Sequence, residues 1–145
     1  MQTIYGNCVD INGSGIILLG KSGSGKSDIT YRLINNHGAK LVSDDHIVIE
    51  KNDNHLIAKS VESIKGLIEV RNIGIIKTDY VEKTNIKLVV ELDIDDELTR
   101  MPEDDFIEVN GIKIKKIKLN PFEQSTELKI VTGLKIELGD IEKIS

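Results

Sequence analysis

Residues 15–29 of the chain read GIILLGKSGSGKSDI, an apolar run followed by a glycine-rich turn and the start of a helical pattern. The turn has the G-x-x-x-x-G-K-[ST] spacing of a phosphate-binding loop, in the order of strand, turn and helix that this motif requires. Its glycines let backbone N–H groups approach phosphate oxygens closely. The sequence therefore predicts nucleotide binding by Gly20, Lys21, Ser22, Gly23, Ser24, Gly25, Lys26 and Ser27.

Two side chains of this loop have expected roles. Lys26 would reach the terminal phosphates of a nucleotide, and the Ser27 hydroxyl would coordinate Mg²⁺. The alternative is a flexible Gly/Ser linker, but the flanking strand and helix patterns favour the phosphate-binding loop.

The composition narrows the classes of partner. The chain has 145 residues, 39% of them hydrophobic, which suits one domain with a buried core. A net charge of −5 disfavours nucleic acid and anionic membranes as partners. The single cysteine, Cys8, excludes an internal disulfide. The sequence shows no signal peptide, and its apolar runs are all much shorter than the ~20 residues of a membrane span. We therefore expect a cytoplasmic protein.

The segments around the loop predict a mixed sheet. Residues 3–11 are typical of a strand, and the Asn12-Gly13 turn joins them to the apolar strand 15–19 as a hairpin. The strand that leads into the loop should therefore have an antiparallel neighbour. A helix follows from Lys26 and should end at residues 36–38.

A pair of carboxylates, Asp44 and Asp45, ends the next short strand pattern. Side chains alternate along a strand, so both could face one group only if the strand has already ended. A kinase needs a carboxylate near Mg²⁺ and a base for the acceptor hydroxyl, and this pair could divide those roles. The alternative is a solvated acidic turn, and the upstream phosphate-binding loop favours the catalytic interpretation over it.

Glu69 and Arg71 interrupt an otherwise apolar stretch over residues 66–76. On a strand they would project side by side from one face. Because unpaired buried charges are costly, the two residues are either a structural ion pair or part of a site, and the sequence favours neither.

The remaining patterns predict scaffold. Residues 46–50 and 56–58 should form a second hairpin, and residues 106–109 and 112–119 a third, whose alternation slips at Lys115-Lys116 as a bulge would make it do. Residues 86–92 are typical of a buried strand, and residues 93–105 of a solvated acidic loop. Residues 126–138 have helical period, although their Ile and Val residues leave a strand open.

Three segments together resemble the successive motifs of the catalytic domain of bacterial HPr kinase/phosphorylase. They are residues 20–28, residues 41–45 (LVSDD) and residues 66–75 (GLIEVRNIGI). Enzymes of this family phosphorylate a serine of HPr, the phosphocarrier of the sugar phosphotransferase system. The resemblance implies an α/β fold of HPr kinase/PEP carboxykinase type: a single domain over residues 1–145 with a mixed, largely antiparallel sheet and few helices. The chain is similar to the short, core-only members found in some proteobacteria.

The resemblance also implies roles for individual residues. ATP would bind at residues 20–27 with Mg²⁺. Asp44 would be the general base, and Lys26 would act on the phosphates. Arg71 would be a catalytic residue within the signature that the family uses in both directions of catalysis, and Ser27, Asp45 and Glu69 would be metal ligands. The acceptor would be HPr or a paralogue, and a homo-oligomer is left open.

Three departures from the family pattern bear on activity. Tyr5 stands where the family usually has a histidine, and Asn72 where glycine is more usual. Residues 121–126 replace a loop rich in proline, glycine and arginine, and no arginine follows Arg100; Lys129 is the nearest cation. The family's reverse phosphorolysis therefore stays open. So do two alternatives, a kinase of a small-molecule hydroxyl and a nucleotide-binding regulatory module without efficient transfer.

Overall fold

The computed structural model describes residues 2–94 and 101–145. Within these ranges the chain forms eleven strands, two α-helices and one short 3₁₀ turn at Glu62–Ile64. The elements are β1 Gln2–Tyr5, β2 Asn7–Ile11, β3 Ser14–Leu19, α1 Lys26–His37, β4 Lys40–Ser43, β5 His46–Asn52, β6 His55–Ser60, β7 Leu67–Val70, β8 Gly74–Lys77, β9 Lys83–Leu92, β10 Asp105–Val109, β11 Ile112–Leu119 and α2 Thr126–Glu137.

Nine of these strands form one sheet. Seven of them follow the order β1-β5-β6-β9-β3-β2-β4, and the β10–β11 hairpin joins the sheet by pairing β11 with β9. Pairing is parallel between β3 and β9 and between β9 and β11, and antiparallel elsewhere in the sheet. The β7–β8 hairpin is a separate two-stranded sheet. This architecture confirms the predicted α/β fold with a mixed, largely antiparallel sheet and few helices.

Both faces of β3 are buried, which explains its unbroken apolar sequence. On one face Ile16 and Leu18 pack in a core with Leu33 of α1 and Ile130 of α2. On the other face Ile17 lies in a second core with residues of β5 and β6. The loop after β3 is therefore anchored from both sides of the sheet.

The prediction of one strand over residues 3–11 is wrong, because the chain breaks at Gly6. β1 pairs with β5, whereas β2 pairs with β3 and β4. A Cβ at Gly6 would lie 2.7 Å from the carbonyl oxygen of Leu18, and the Gly6 N–H donates to the Asp45 carbonyl at 3.0 Å. The predicted Asn12-Gly13 hairpin is confirmed, as is the antiparallel neighbour of β3.

The second and third hairpins are confirmed, but the predicted bulge is wrong. Pairing of β10 with β11 runs without a register shift from Asp105↔Lys116 to Val109↔Ile112. The change in sequence pattern has another cause: Ile114 packs in the second core and Ile117 against the first, so β11 switches its buried face.

The C-terminal segment is helical, as α2, and the strand alternative is excluded. Part of the predicted acidic loop, residues 95–100, lies outside the described residues. In the part of the chain that is described, neither helix is both long and apolar enough to cross a membrane.

Candidate active site

The predicted phosphate-binding loop, residues 20–27, joins β3 to α1, and the helix begins at Lys26. Gly25 precedes it with φ 88°, a left-handed conformation that glycine adopts without steric cost. The Lys26 ammonium reaches back over the loop and donates to the carbonyl oxygens of Gly20 at 2.7 Å and Lys21 at 3.3 Å. The Lys26 ammonium and the positive N-terminal end of the α1 dipole therefore both lie at this loop.

Asp44 is the centre of the hydrogen-bond network beside this loop. Its Oδ1 accepts a hydrogen bond from the Ser27 hydroxyl at 3.0 Å and from the Asn7 amide at 2.9 Å. Its Oδ2 accepts from the backbone N–H of Glu69 at 3.3 Å. Three separate segments therefore fix the position of this carboxylate.

The strand before Asp44 ends at Ser43, so the side chains of Asp44 and Asp45 need not point to opposite faces of the sheet. Asp45 has a left-handed φ of 72°, which is uncommon outside glycine. Its carboxylate lies 3.3 Å from Nδ1 of His46. Asp44 and Asp45 consequently line the same cavity, the condition that the sequence left open.

Asn7 is a buried residue of the site that the sequence did not reveal. It is 1% exposed. Its Nδ2 donates to Thr30 Oγ1 at 2.9 Å as well as to Asp44, and its Oδ1 accepts the Asp45 N–H at 2.9 Å. Asn7 therefore connects α1 to the turn that carries both carboxylates. The available signal was an amide at the first position of β2, directly after the break at Gly6.

Glu69 and Arg71 belong to the β7–β8 hairpin, which packs against α1. They do not share a strand face, because β7 ends at Val70 and Arg71 lies in the turn. Both residues are exposed, and Arg71 makes no ion pair with any carboxylate in residues 2–94 or 101–145. The structural ion-pair alternative is therefore wrong. Asn72 adopts a left-handed φ of 71°, which asparagine tolerates, so the turn accommodates this departure from glycine.

One cavity of about 650 Å³ brings most of the predicted site residues together. Its lining includes residues 22–27 of the loop, Asp44, Asp45, Glu69 and Arg71. Gly20 and Lys21 do not line it and border a neighbouring cavity instead. Asn7, Tyr31 and Phe122 also line the first cavity, and the sequence predicted a role for none of the three.

The donor set of this cavity fits Mg²⁺. The candidate ligands Ser27, Asp45 and Glu69 supply oxygen atoms, which Mg²⁺ prefers. Within the described residues there is no preformed group of three or more His, Cys, Asp or Glu side chains for a metal ion. That agrees with Mg²⁺ sites in which one or two carboxylates act together with substrate phosphates and water.

The structure also shows the surroundings of Tyr5 and Lys129, the residues named in the other two departures from the family pattern. Tyr5 is 72% exposed on β1, and its ring packs edge-on against His46 with the ring centroids 4.9 Å apart. Lys129 forms an ion pair with Glu123 at 2.9 Å. Neither residue of this exposed pair lines the cavity, so Lys129 does not take the place of a late arginine there.

Comparisons with known proteins agree with this geometry. The family model for the HPr Serine kinase C-terminal domain matches residues 1–136. The HPr kinase/phosphorylase of Thermoanaerobacter sp. (strain X514) is 39% identical over 141 residues, which is 89% of this chain and 46% of that protein. That of Malacoplasma penetrans (strain HF-2) is 32% identical over 154 residues, 95% of this chain and 51% of that protein. The chain spans about half the length of the curated relatives it matches.

A solved structure, that of the Hpr(Ser) kinase/phosphatase from Coxiella burnetii, superposes with a TM-score of 0.86 at 25% sequence identity. The superposition covers 99% of this chain and 100% of that one. The fold and the matching family model lead to one conclusion: the chain belongs to the HPr kinase/phosphorylase family and corresponds to its C-terminal domain.

Proposed function

We propose that this protein is an ATP- and Mg²⁺-dependent protein serine kinase whose acceptor is HPr or a paralogue of HPr. The observation that carries the proposal is the 3.0 Å contact between the Ser27 hydroxyl and the Asp44 carboxylate, in one cavity with the rest of the loop. The names of the relatives support the acceptor. The proposal includes a cytoplasmic location, with which the single free cysteine agrees.

The loop would bind the phosphates of ATP. Its backbone N–H groups and the N-terminus of α1 suit an anion. The Lys26 ammonium, which donates to two loop carbonyls, would exchange these for phosphate oxygens of higher charge.

Ser27, Asp45 and Glu69 would hold Mg²⁺, which neutralises charge on the transferred phosphoryl group. Because the Ser27 hydroxyl gives its hydrogen to Asp44, its lone pairs are left for another partner. The same hydrogen bond orients the Ser27 side chain.

Asp44 would act as the general base. It takes the proton from the acceptor serine while the serine oxygen forms a bond to the γ-phosphorus and the bond to the β,γ-bridging oxygen breaks. Arg71, exposed at the rim of the cavity, would stabilise the charge on the phosphoryl oxygens through its planar fork of donors. Its lack of an ion pair with any described carboxylate keeps that guanidinium accessible.

Transfer of labelled γ-phosphate from ATP to purified HPr, with Mg²⁺ and with EDTA, tests this proposal. The expected result is label on HPr only with Mg²⁺. Addition of inorganic phosphate to the phosphorylated product then tests the reverse phosphorolysis. Equal labelling with EDTA would contradict the metal dependence.

A second candidate is a nucleotide-binding regulatory module without efficient transfer. The sequence has no arginine after Arg100, and Lys129, the nearest cation, does not line the cavity; both observations favour this candidate. ATP binding without label on HPr or on small hydroxyl compounds would support this candidate, and label on a small compound alone would indicate the small-molecule kinase.

A further inference from the structure

A second cavity of about 580 Å³ lies beside the phosphate-binding loop. Ser22, Gly23, Ser24 and Phe122 line both cavities. From this shared wall the first cavity extends to Asp44 at the end of β4, whereas the second extends to the ends of β9 and β11. In the sheet, β3 lies between these two groups of strands, so the cavities flank the loop.

The topology of the sheet places the second cavity where ligands commonly bind. β3, β9 and β11 are parallel neighbours, so their carboxyl ends meet at one edge. The Asp93 N–H donates to the Leu119 carbonyl at 3.0 Å and ties the last two ends together. Ligands of open α/β sheets bind outside the carboxyl ends of parallel strands.

The position of the γ-phosphate restricts where the nucleoside of the same nucleotide can lie. If the γ-phosphate faces Ser27 and Asp44 in the first cavity, the nucleoside has to extend from the loop away from these two residues. The second cavity is continuous with the loop through residues 22–24. We propose that this second cavity holds the nucleoside, base and ribose, of the phosphoryl donor, an inference that rests on the proposed kinase function.

The lining suits a flat apolar base. Leu19, Ile94, Ile107, Pro121 and Phe122 supply apolar surface, and Phe122 is 65% exposed. Stacking of a base on an aromatic ring stabilises binding whichever base is present.

Away from the loop, the charged groups of the lining suit a ribose better than phosphates. Lys21 lies on the loop side of the cavity, whereas Lys116 on β11 is paired with Glu91 at 3.2 Å and Asp105 at 3.5 Å. The hydrogen bond to Glu91 raises the pKa of Lys116, so the ammonium stays protonated and paired. The carboxylates of Glu91 and Asp93 can accept hydrogen bonds from ribose hydroxyls, as an acidic residue does in dinucleotide-binding folds.

A spectroscopic experiment on the unaltered protein tests the inference first. In methyl NMR spectra, ATP should shift the Ile94 and Ile107 methyl signals through the ring current of its base, whereas inorganic tripolyphosphate should not. Ile57, which lines neither cavity, is the internal control. An ATP-dependent shift confined to other methyl groups would overturn the inference.

A matched pair of variants tests it independently. Ile107→Trp would fill the cavity, whereas Phe106→Trp places the same side chain on the neighbouring residue of β10, which does not line the cavity. We expect roughly tenfold weaker ATP binding for Ile107→Trp, the range of one base stacking contact. Tripolyphosphate binding should be unchanged in both variants.

The two ligands separate failure of this inference from failure of the proposed function. Unchanged ATP binding by folded Ile107→Trp would overturn the nucleoside site and leave the kinase proposal intact. Binding of neither ATP nor tripolyphosphate by the unaltered protein would contradict both. If Ile107→Trp does not fold, the methyl shifts of the unaltered protein decide alone.

Discussion

Asp44→Asn is the substitution that examines the candidate site most closely. The carboxylate accepts hydrogen bonds from the Ser27 hydroxyl, the Asn7 amide and the Glu69 N–H. An asparagine whose oxygen takes the place of Oδ1 keeps the first two contacts without the negative charge, and its NH₂ then faces the Glu69 N–H. Hydrogen bonds to charged groups contribute about 1 kcal/mol more than neutral ones, so the free energy of unfolding should fall by about 1–3 kcal/mol.

The effect on phosphoryl transfer should be far larger than the effect on folding. Loss of a general base typically lowers a rate about 10²–10⁴-fold. Nucleotide binding should survive, because the loop residues and Lys26 are unchanged. Single-turnover transfer from labelled ATP, a nucleotide-binding titration and urea unfolding measure the three quantities separately.

A control and a refuting outcome complete this experiment. Asp53→Asn makes the same change in an exposed turn with φ 56°, a conformation that asparagine also adopts, and should alter none of the three quantities. Equal loss of nucleotide binding and transfer in Asp44→Asn would refute the base assignment, since it would show that Asp44 serves the loop instead.

Three buried side chains, those of Asn7, Cys8 and Leu33, give further tests. Asn7→Ala should lower the transfer rate roughly 10–100-fold, as is usual for residues that orient a site, and a transfer rate equal to that of the unaltered protein would rule out its positioning role. The Cys8 thiol, whose pKa is raised by burial and then by Asp10, should resist alkylation at pH 8 until urea unfolds the protein; fast labelling of folded protein would contradict this. Because the folded thiol holds its proton more tightly, Cys8 should lower stability only as pH rises above the unfolded pKa of about 8.5. Leu33→Ala should reduce the free energy of unfolding by about 2–5 kcal/mol in urea melts, and a loss under about 1 kcal/mol would show that its core is loosely packed.

The parts of the fold that the sequence predicted are those encoded by neighbouring residues. The Asn12-Gly13 hairpin and the loop before α1 depend on local turn chemistry, which short motifs carry. The end of the strand before Asp44 was left open, and the structure resolves it at Ser43.

What the sequence did not reveal depends on contacts between distant segments. Asn7 is an ordinary strand residue until β2 lies beside α1 and the Asp44-Asp45 turn, 37 positions away. The break at Gly6 follows from a close approach to Leu18. The pattern change in β11 reflects its parallel pairing with β9 between two cores, which local periodicity does not encode.

Transfer of labelled γ-phosphate from ATP, with Mg²⁺, to HPr of the same organism decides whether this protein is an HPr kinase. A second acceptor should carry alanine in place of the target serine. Label is expected on the serine-containing HPr and none on the alanine variant. Measurable ATP binding with no label on either acceptor would contradict an HPr kinase, and equal label on both would contradict transfer to that serine.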